Sequence, residues 1–170
     1  LTELFTRHGC GTMILEDSLE IIRQATIDDI GGLLDIITPL EEQGVLVRRS
    51  RELLENEISQ FEVVQHFEGN IIGCAALYPF ANADGSTSAE LACVATHADF
   101  QGQGLAGKLL EHMEKKAAKQ NIKQLFVLTT QAAEWFKENG FAEAALKELP
   151  QEKQSLYNYQ RNSKILSKKR

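Results

Sequence analysis

The stretch Gln101-Gly102-Gln103-Gly104-Leu105-Ala106 lies between the apolar run Glu90-Leu91-Ala92-Cys93-Val94 and residues 107–119, which have the pattern of a helix. This order predicts a strand, a glycine-containing turn and the first turn of a helix. Glycine lets the backbone approach a ligand closely, and the first helical turn offers unpaired N–H groups and the positive end of a dipole. The stretch therefore predicts an anion cradle that can hold a pyrophosphate group without basic side chains.

Two other phosphate-binding motifs do not fit this stretch. No Gly-Lys-Ser or Gly-Lys-Thr ends it, which excludes a P-loop. The third glycine of the dinucleotide-binding fingerprint is missing, and the stretch lies late in the chain rather than in a first βαβ unit. From these residues alone, an ordinary glycine-rich turn before a helix is the alternative.

The composition is that of a globular protein with a moderate negative charge. Of the 170 residues, 43% are hydrophobic and 25% are charged, and the formal net charge is -6. This charge argues against nucleic acid as the main partner, and no apolar run has the length of a membrane span. Three scattered cysteines, Cys10, Cys74 and Cys93, indicate reduced thiols rather than a disulfide framework. We therefore expect a cytoplasmic protein that binds neither nucleic acid nor membranes.

Two further features are interpreted as structural. The four histidines show no metal-ligand spacing with the cysteines, so we expect no metal site. The basic segment 164–170 is expected to be a solvated C-terminus.

The hydrophobic pattern predicts an alternating series of strands and helices. Strands are predicted at 19–23, 61–67, 71–78, 89–94 and 124–129, with a closing pair at 141–149 and 155–160. Helices are predicted at 28–37, 48–58, 104–119 and 132–139. Thr26 and Ser50 are candidate N-caps, and Gly140 is suited to follow a helix end. This order predicts an α/β sandwich with a mixed sheet.

The pattern Gln-x-x-Gly-x-Ala after a strand resembles the acetyl-CoA pyrophosphate loop of the GNAT superfamily of N-acetyltransferases, and the element order resembles the GNAT arrangement. The resemblance implies an α/β (α+β) sandwich with helices on both faces. Its mixed, mostly antiparallel sheet of six to seven strands would be split near the acetyl-CoA site. Backbone groups of Cys93, Val94 and Ala95 are then expected to pair with the pantetheine arm of acetyl-CoA. The amides expected to hold the pyrophosphate belong to Gln101, Gly102, Gln103, Gly104, Leu105 and Ala106.

Acetyl transfer to an amine needs a base for the ammonium proton and a donor for the leaving thiolate. Glu90, at the start of its strand, is the best candidate for the base. GNAT proteins commonly carry a tyrosine acid in a Phe-Tyr…Gly-Phe pattern, but Phe136 stands at that position here. Thr129 or its neighbour Thr130 is the nearest substitute, because a threonine hydroxyl can hydrogen-bond a thiolate. The alternatives are an exposed glutamate at a strand start and two threonines that only end a strand.

Further strings resemble the C-terminal acetyltransferase domain of the N-acetylglutamate synthase family, over about residues 19–164. They are Gly44-Val45-Leu46-Val47-Arg48-Arg49-Ser50-Arg51, Ala89-Glu90-Leu91-Ala92-Cys93, Leu125-Phe126-Val127-Leu128-Thr129-Thr130, Glu134-Trp135-Phe136 and Tyr157-Asn158-Tyr159-Gln160-Arg161-Asn162-Ser163-Lys164. The resemblance implies direct acetyl transfer to the α-amine of L-glutamate in a ternary complex, as the first step of arginine biosynthesis. Arginine binds carboxylates in bidentate fashion, and the resemblance implies a glutamate clamp made of Leu46, Arg48, Cys93, Arg161 and Ser163.

Residues 1–17 differ from the rest of the chain and resemble the tail of the amino-acid-kinase-like domain of the same family. We therefore expect a domain tail or linker at 1–17 and the acetyltransferase domain at 18–170. A preceding kinase-like domain would make the full-length protein a homo-oligomer and would carry the feedback inhibition by arginine. The alternatives are an acetyltransferase for another amino acid or a peptide amine, a non-catalytic CoA-binding regulatory domain, and an assembly module that does not bind CoA.

Overall fold

The computed structural model describes residues 13–15, 20–46, 48–101, 104–150 and 164–169. The strands are β1 (Met13–Leu15), β2 (Glu20–Gln24), β3 (Phe61–Gln65), β4 (Ile71–Ala81), β5 (Thr87–Thr96), β6 (Gln124–Thr129), β7 (Ala142–Glu143) and β8 (Lys164–Lys169). The α-helices are α1 (Ile30–Glu42), α2 (Arg51–Asn56), α3 (Leu105–Lys119) and α4 (Ala133–Glu138).

The chain forms two compact units. The first consists of Leu1–Ala76 and Cys93–Lys116, and the second of Leu77–Ala92 and Ala117–Arg170. Strands β4 and β5 and helix α3 each begin in one unit and end in the other.

The strands of the first unit are antiparallel neighbours in the order β1, β2, β3 and β4. Ile22 of β2 lies opposite Met13 on one side and Val64 on the other. The side chains of Ile22 and Val64 are completely buried, because β-branched residues pack well on a pleated surface. The turn from β3 to β4 requires glycine, since Gly69 has a φ of 100°.

Both predicted N-caps in the first unit precede a helix. The hydroxyl oxygen of Ser50 accepts a hydrogen bond from the N–H of Leu53 at 3.1 Å, so α2 begins at Arg51. Thr26 precedes a 3-10 turn, Ile27–Asp29, that leads directly into α1. There the backbone N–H of Thr26 donates to a carboxylate oxygen of Asp29 at 2.7 Å. These contacts satisfy N–H groups that have no partner within a helix.

The second unit contains a parallel pair of strands. Residues 88–90 of β5 lie opposite residues 124–126 of β6, and the long connection between the two strands contains α3, as a parallel pair requires. Strand β8 lies antiparallel along all of β6, and β7 pairs with β8. Leu125 and Leu166 are completely buried.

The expectation that residues 164–170 form a solvated C-terminus is wrong, because Lys164–Lys169 form β8. Leu166 takes the buried position of this strand. The ammonium of Lys168 lies 5.9 Å from the centre of the Phe141 ring and donates to the carbonyl oxygen of Asn139 at 3.1 Å.

The predicted closing pair of strands is only partly present. The predicted strand at 141–149 is reduced to β7 and a 3-10 turn, Leu146–Glu148, and its predicted partner at 155–160 lies outside the described residues. The α/β class and the mixed, mostly antiparallel strand pairing are confirmed. The described part of the chain has eight strands rather than the expected six to seven, since β1, which was not predicted, pairs with β2. None of the helices described here has the length and apolar character to cross a membrane.

Candidate active site

The predicted cradle lies at the start of α3, in the first unit. Strand β5 is followed by a 3-10 turn, Ala98–Phe100, and Gln101 donates from its side chain to the carbonyl oxygen of Thr96 at 3.5 Å. Gly104 has a φ of 78°, and its carbonyl oxygen accepts from the N–H of Lys108 at 3.2 Å. Gly104 therefore turns the chain into the first turn of α3. The other two cradle residues of this turn, Gly102 and Gln103, lie outside the described residues.

The first turn of α3 suits an anion. It contains no acidic side chain, and the 15 residues of the helix align their peptide dipoles toward this end. Leu105 is 3% exposed and anchors the turn, while Ala106 is half-buried. A β-carbon built on Gly104 would meet no atom of the described residues within 4 Å. The positive φ of the backbone therefore explains the glycine at this position, whereas a lack of space for a side chain does not.

Strand β5 is irregular at Cys93, a predicted cofactor- and substrate-binding residue. Cys93 has a φ of 56°, in the left-handed region that side-chain-bearing residues rarely adopt. It is 5% exposed, and the next residues, Val94 and Ala95, are half-buried and buried. Such an irregularity within a strand changes the direction of its peptide groups, as β-bulges do beside active sites.

Two side chains that sequence reasoning missed contact Cys93. The Cys74 thiol donates to the carbonyl oxygen of Cys93 at 3.3 Å, and Nη1 of Arg49 lies 3.9 Å from Cys93 Sγ. A hydrogen bond between the two thiols and the charge of Arg49 lower the pKa of the Cys93 thiol. The same contact and complete burial raise the pKa of Cys74. The only features of the sequence that could have pointed to these contacts are the position of Arg49 next to Arg48 and the position of Cys74 in an apolar strand.

The predicted glutamate clamp is only partly described. Leu46 is half-buried, and its N–H donates to the carbonyl oxygen of Leu40 at 3.3 Å. Arg48 is exposed, whereas its neighbour Arg49 is half-buried and lies against Cys93. The structure thus brings Arg49, rather than Arg48, to Cys93. The remaining clamp residues, Arg161 and Ser163, lie outside the described residues.

The two predicted catalytic residues lie in the second unit. Glu90 is half-buried and lies opposite Phe126 in the β5–β6 pair. Thr129 ends β6 and is 8% exposed, and its hydroxyl oxygen accepts from the N–H of Ala132 at 2.9 Å. The hydroxyl of Thr130 is buried and has no hydrogen-bond partner among the described residues. Both threonine hydroxyls thus retain a proton that they can donate.

Phe136, at the position where GNAT proteins commonly carry tyrosine, is a packed aromatic residue. It is 5% exposed and lies edge-on to Trp135 and Phe141, with ring centres 4.9 and 5.3 Å away. Edge-on contacts of this kind stabilise an aromatic cluster, so the Phe136 ring contributes to packing.

A cavity of about 420 Å³ in the first unit was not predicted. Its polar lining includes Asp28, Asp35, His97 and Asp99. Carboxylates repel anions, so this cavity does not suit a pyrophosphate. No group of three or more potential metal-ligating side chains occurs in the described residues.

The chain resembles known acetyltransferases in sequence. The model of the acetyltransferase (GNAT) domain family matches residues 58–143. An amino-acid acetyltransferase of Pseudomonas syringae pv. syringae is 56% identical over 168 residues, which cover 99% of this chain and 38% of that protein. An amino-acid acetyltransferase of Pseudomonas putida is 55% identical over the same length.

Solved structures agree with this similarity. N-acetylglutamate synthase from Neisseria gonorrhoeae, complexed with coenzyme A and N-acetyl-glutamate, superimposes with a TM-score of 0.84 and 46% identity over 98% of this chain and 39% of that chain. Its complex with coenzyme A and L-arginine has a TM-score of 0.78 and 42% identity over 91% of this chain and 34% of that chain. This chain thus spans about two fifths of the length of the curated relatives.

The family match extends from the 3-10 turn before β3 to the end of β7 and includes the irregular strand β5 and the cradle. It covers about half of the sequence, and the fold has the class that the family requires. This chain belongs to the GNAT acetyltransferase family.

Proposed function

We propose that this chain transfers the acetyl group of acetyl-CoA directly to the α-amine of L-glutamate in a ternary complex. The observation that carries the proposal is the irregular backbone of β5 at Cys93. This strand leads to α3, which begins directly after Gly104. These features occur in a chain 46% identical to an N-acetylglutamate synthase complexed with coenzyme A and N-acetyl-glutamate.

The cofactor-binding part of the proposal uses backbone groups. The peptide groups of Cys93, Val94 and Ala95 would pair with the pantetheine arm, because the left-handed backbone at Cys93 turns peptide groups away from the regular strand pattern. The amides from Gln101 to Ala106 would hold the pyrophosphate at the start of α3. No metal is needed for this chemistry, since the amides and the helix dipole supply the positive potential.

The chemical step requires one proton acceptor and one proton donor. Glu90 accepts a proton from the ammonium group of the substrate, directly or through a water molecule, because only the free amine attacks the thioester. The amine nitrogen forms a bond to the acetyl carbon, and the carbon–sulfur bond breaks. Thr129, with Thr130 as the alternative, donates a hydrogen bond to the leaving thiolate of CoA.

The substrate part of the proposal follows from charge. L-Glutamate has two carboxylates, which need cationic partners. Arg48 and Arg161 would supply them, together with Leu46, Cys93 and Ser163. The exposure of Arg48 leaves its guanidinium accessible to a small anionic ligand.

The wider role is proposed from the family resemblance of the sequence. Acetylation of glutamate would be the first step of arginine biosynthesis, in the cytoplasm. Residues 1–17 would be the tail of a kinase-like domain through which the full-length protein forms a homo-oligomer. Arginine would inhibit only a protein that contains this domain.

Thiol release from acetyl-CoA tests the proposal. It is measured with L-glutamate, L-glutamine, L-aspartate and no acceptor, on the wild type and on Arg48→Ala and Arg161→Ala. Arg51→Ala is the matched control, because Arg51 is an exposed arginine that pairs with Glu55 at 3.2 Å on the surface. We expect glutamate-dependent release, and a loss of about 10- to 100-fold in kcat/KM when a clamp arginine is removed.

Other outcomes favour the alternatives. Equal release with all acceptors indicates a different acetyltransferase. Tight CoA binding without release indicates a regulatory domain, and an absence of CoA binding indicates an assembly module.

A further inference from the structure

The backbone of Cys93 adopts a conformation that its own side chain disfavours. At a φ of 56°, the β-carbon of an L-residue comes close to the following carbonyl oxygen. A residue other than glycine keeps such a conformation only when surrounding contacts determine it. The groups that contact Cys93 must therefore hold its backbone in this conformation.

Cys74 contacts the irregular segment on both sides of Val94. Its thiol donates to the carbonyl oxygen of Cys93 at 3.3 Å, and the backbone N–H of Ala95 also lies within hydrogen-bonding reach of the thiol. Cys74 is completely buried. A buried carbonyl turned out of a strand needs a donor, because a polar group without a partner is costly in the interior.

The anchoring group keeps its proton at neutral pH. The contact with Cys93 and complete burial raise the pKa of Cys74 well above its usual range, so the thiol remains a hydrogen-bond donor. Arg49 holds the other end of Cys93, since its Nη1 lies 3.9 Å from Sγ. Its own position is fixed in turn by a 2.7 Å hydrogen bond from its N–H to Glu41.

We propose that Cys74 is a positioning residue for acetyl transfer, because its thiol fixes the direction of the peptide groups at 93–95. The inference rests on the proposed function, in which these groups pair with the pantetheine arm. Their direction then sets the position of the thioester relative to the attacking amine, and small errors in this position reduce the rate strongly. Neither cysteine forms a covalent bond to substrate in this role.

Paired substitutions at Cys74 test the role of the donor. Cys74→Ala removes the donor, whereas Cys74→Ser retains one in a side chain of similar size. We expect Cys74→Ala to lower kcat by about tenfold or more, with a smaller rise in the Kd for CoA because the pyrophosphate cradle is untouched. Cys74→Ser should recover most of the lost kcat.

A control separates positioning from packing. Val63 lies opposite Cys74 in β3 and is completely buried, so Val63→Ala opens a cavity beside the same site without removing a donor. We expect it to lower the thermal midpoint while kcat stays close to the wild-type value. Wild-type kcat in Cys74→Ala would overturn the proposal, as would a Cys74→Ser variant as impaired as Cys74→Ala.

A measurement without substrate keeps this inference distinct from the proposed function. A positive φ gives a strong NOE between the amide and α protons of the same residue, which can be followed for Cys93 by NMR. We expect this NOE to weaken in Cys74→Ala and to persist in Cys74→Ser, and an unchanged NOE in both would contradict the anchor. A wild type with the NOE but without CoA binding or thiol release would instead contradict the proposed function, and with it the catalytic role of the anchor.

Discussion

Nε2 of His112 lies 2.8 Å from Oε1 of Glu62, a carboxylate whose side chain is only 3% exposed. The second carboxylate oxygen of Glu62 lies 3.3 Å from Nζ of Lys116. One buried acid in β3 thus contacts two basic side chains, one turn apart, on the same face of α3. This cluster ties the helix that begins at the cradle to the strands of the first unit.

Removal of the Glu62 carboxylate should destabilise the protein strongly. Glu62→Gln leaves Lys116 partly buried without its counter-charge, and we expect a loss of about 3 kcal/mol in the free energy of unfolding. Urea denaturation measures this loss. The control is Glu111→Gln, on the same helix, which breaks an exposed pair with Lys115 and should cost less than about 0.5 kcal/mol. Equal losses in the two variants would show that burial does not determine the effect.

The ion pair of Arg23 and Asp29 should make stability depend on acid pH. Two hydrogen bonds of 2.8 Å from Arg23 lower the pKa of Asp29 in the folded protein. A lowered folded pKa means stabilisation that is fully present above the unfolded pKa of about 3.9. It is then lost as the pH falls through the folded value.

Asp29→Asn tests this dependence. We expect the variant to be about 1–3 kcal/mol less stable than the wild type at pH 7, and the gap should narrow as the pH falls below about 4. Urea denaturation at pH 7, 5 and 3 measures the gap. A gap that stays constant over this range would rule out titration of Asp29 as the cause.

Gly104 should be required for CoA binding because of its backbone conformation. Gly104→Ala places a β-carbon at a φ of 78°, which costs about 1–2 kcal/mol, and the strain should reshape the cradle and weaken CoA binding. Gly107→Ala is the control, because it adds the same methyl group in open space inside α3. This control should leave CoA affinity unchanged. Calorimetric titration with CoA compares the two variants, and equal affinities would exclude a special role for Gly104.

The turn into α3 could be predicted from sequence because its determinants are local. A glycine before an amphipathic segment predicts a turn into a helix, and Gly104 has the positive φ that this turn needs. The N-cap at Ser50 was predictable for the same reason, since its side chain accepts a hydrogen bond from an N–H only three residues away.

The environment of Cys93 could not be predicted because its determinants are distant in sequence. Cysteine is not a residue that indicates a left-handed conformation, and its contacts come from Cys74 and Arg49, 19 and 44 residues away. Strand β8 was missed for a similar reason. Its lysines indicated a solvated tail, but the burial of Leu166 depends on pairing with the distant strand β6.

Loss of the hydroxyl should destabilise the protein at Thr129 but not at Thr130. Thr129→Val leaves the N–H of Ala132 without its acceptor, so we expect a loss of about 1 kcal/mol in stability. Thr130→Val removes a buried hydroxyl without a described partner and should be neutral or stabilising. Thermal unfolding compares the two variants.

The rates of the same two variants identify the donor to the thiolate. Under the proposed function, kcat should fall in Thr129→Val and stay near the wild-type value in Thr130→Val. The reverse result would assign this role to Thr130.

Glu90 should act on the rate of acetyl transfer rather than on binding. Glu90→Gln keeps the size and half-buried position of the side chain but removes the proton acceptor, and we expect kcat to fall about 10²- to 10⁴-fold. The Kd for CoA should change little, and the KM for glutamate should rise much less than kcat falls, because backbone groups hold CoA and the arginines hold the carboxylates of glutamate in the proposed mechanism. Glu143→Gln, an exposed glutamate in the same unit, is the control and should retain full activity. If Glu90→Gln raised KM without lowering kcat, Glu90 would be a binding residue and the base would have to be sought elsewhere.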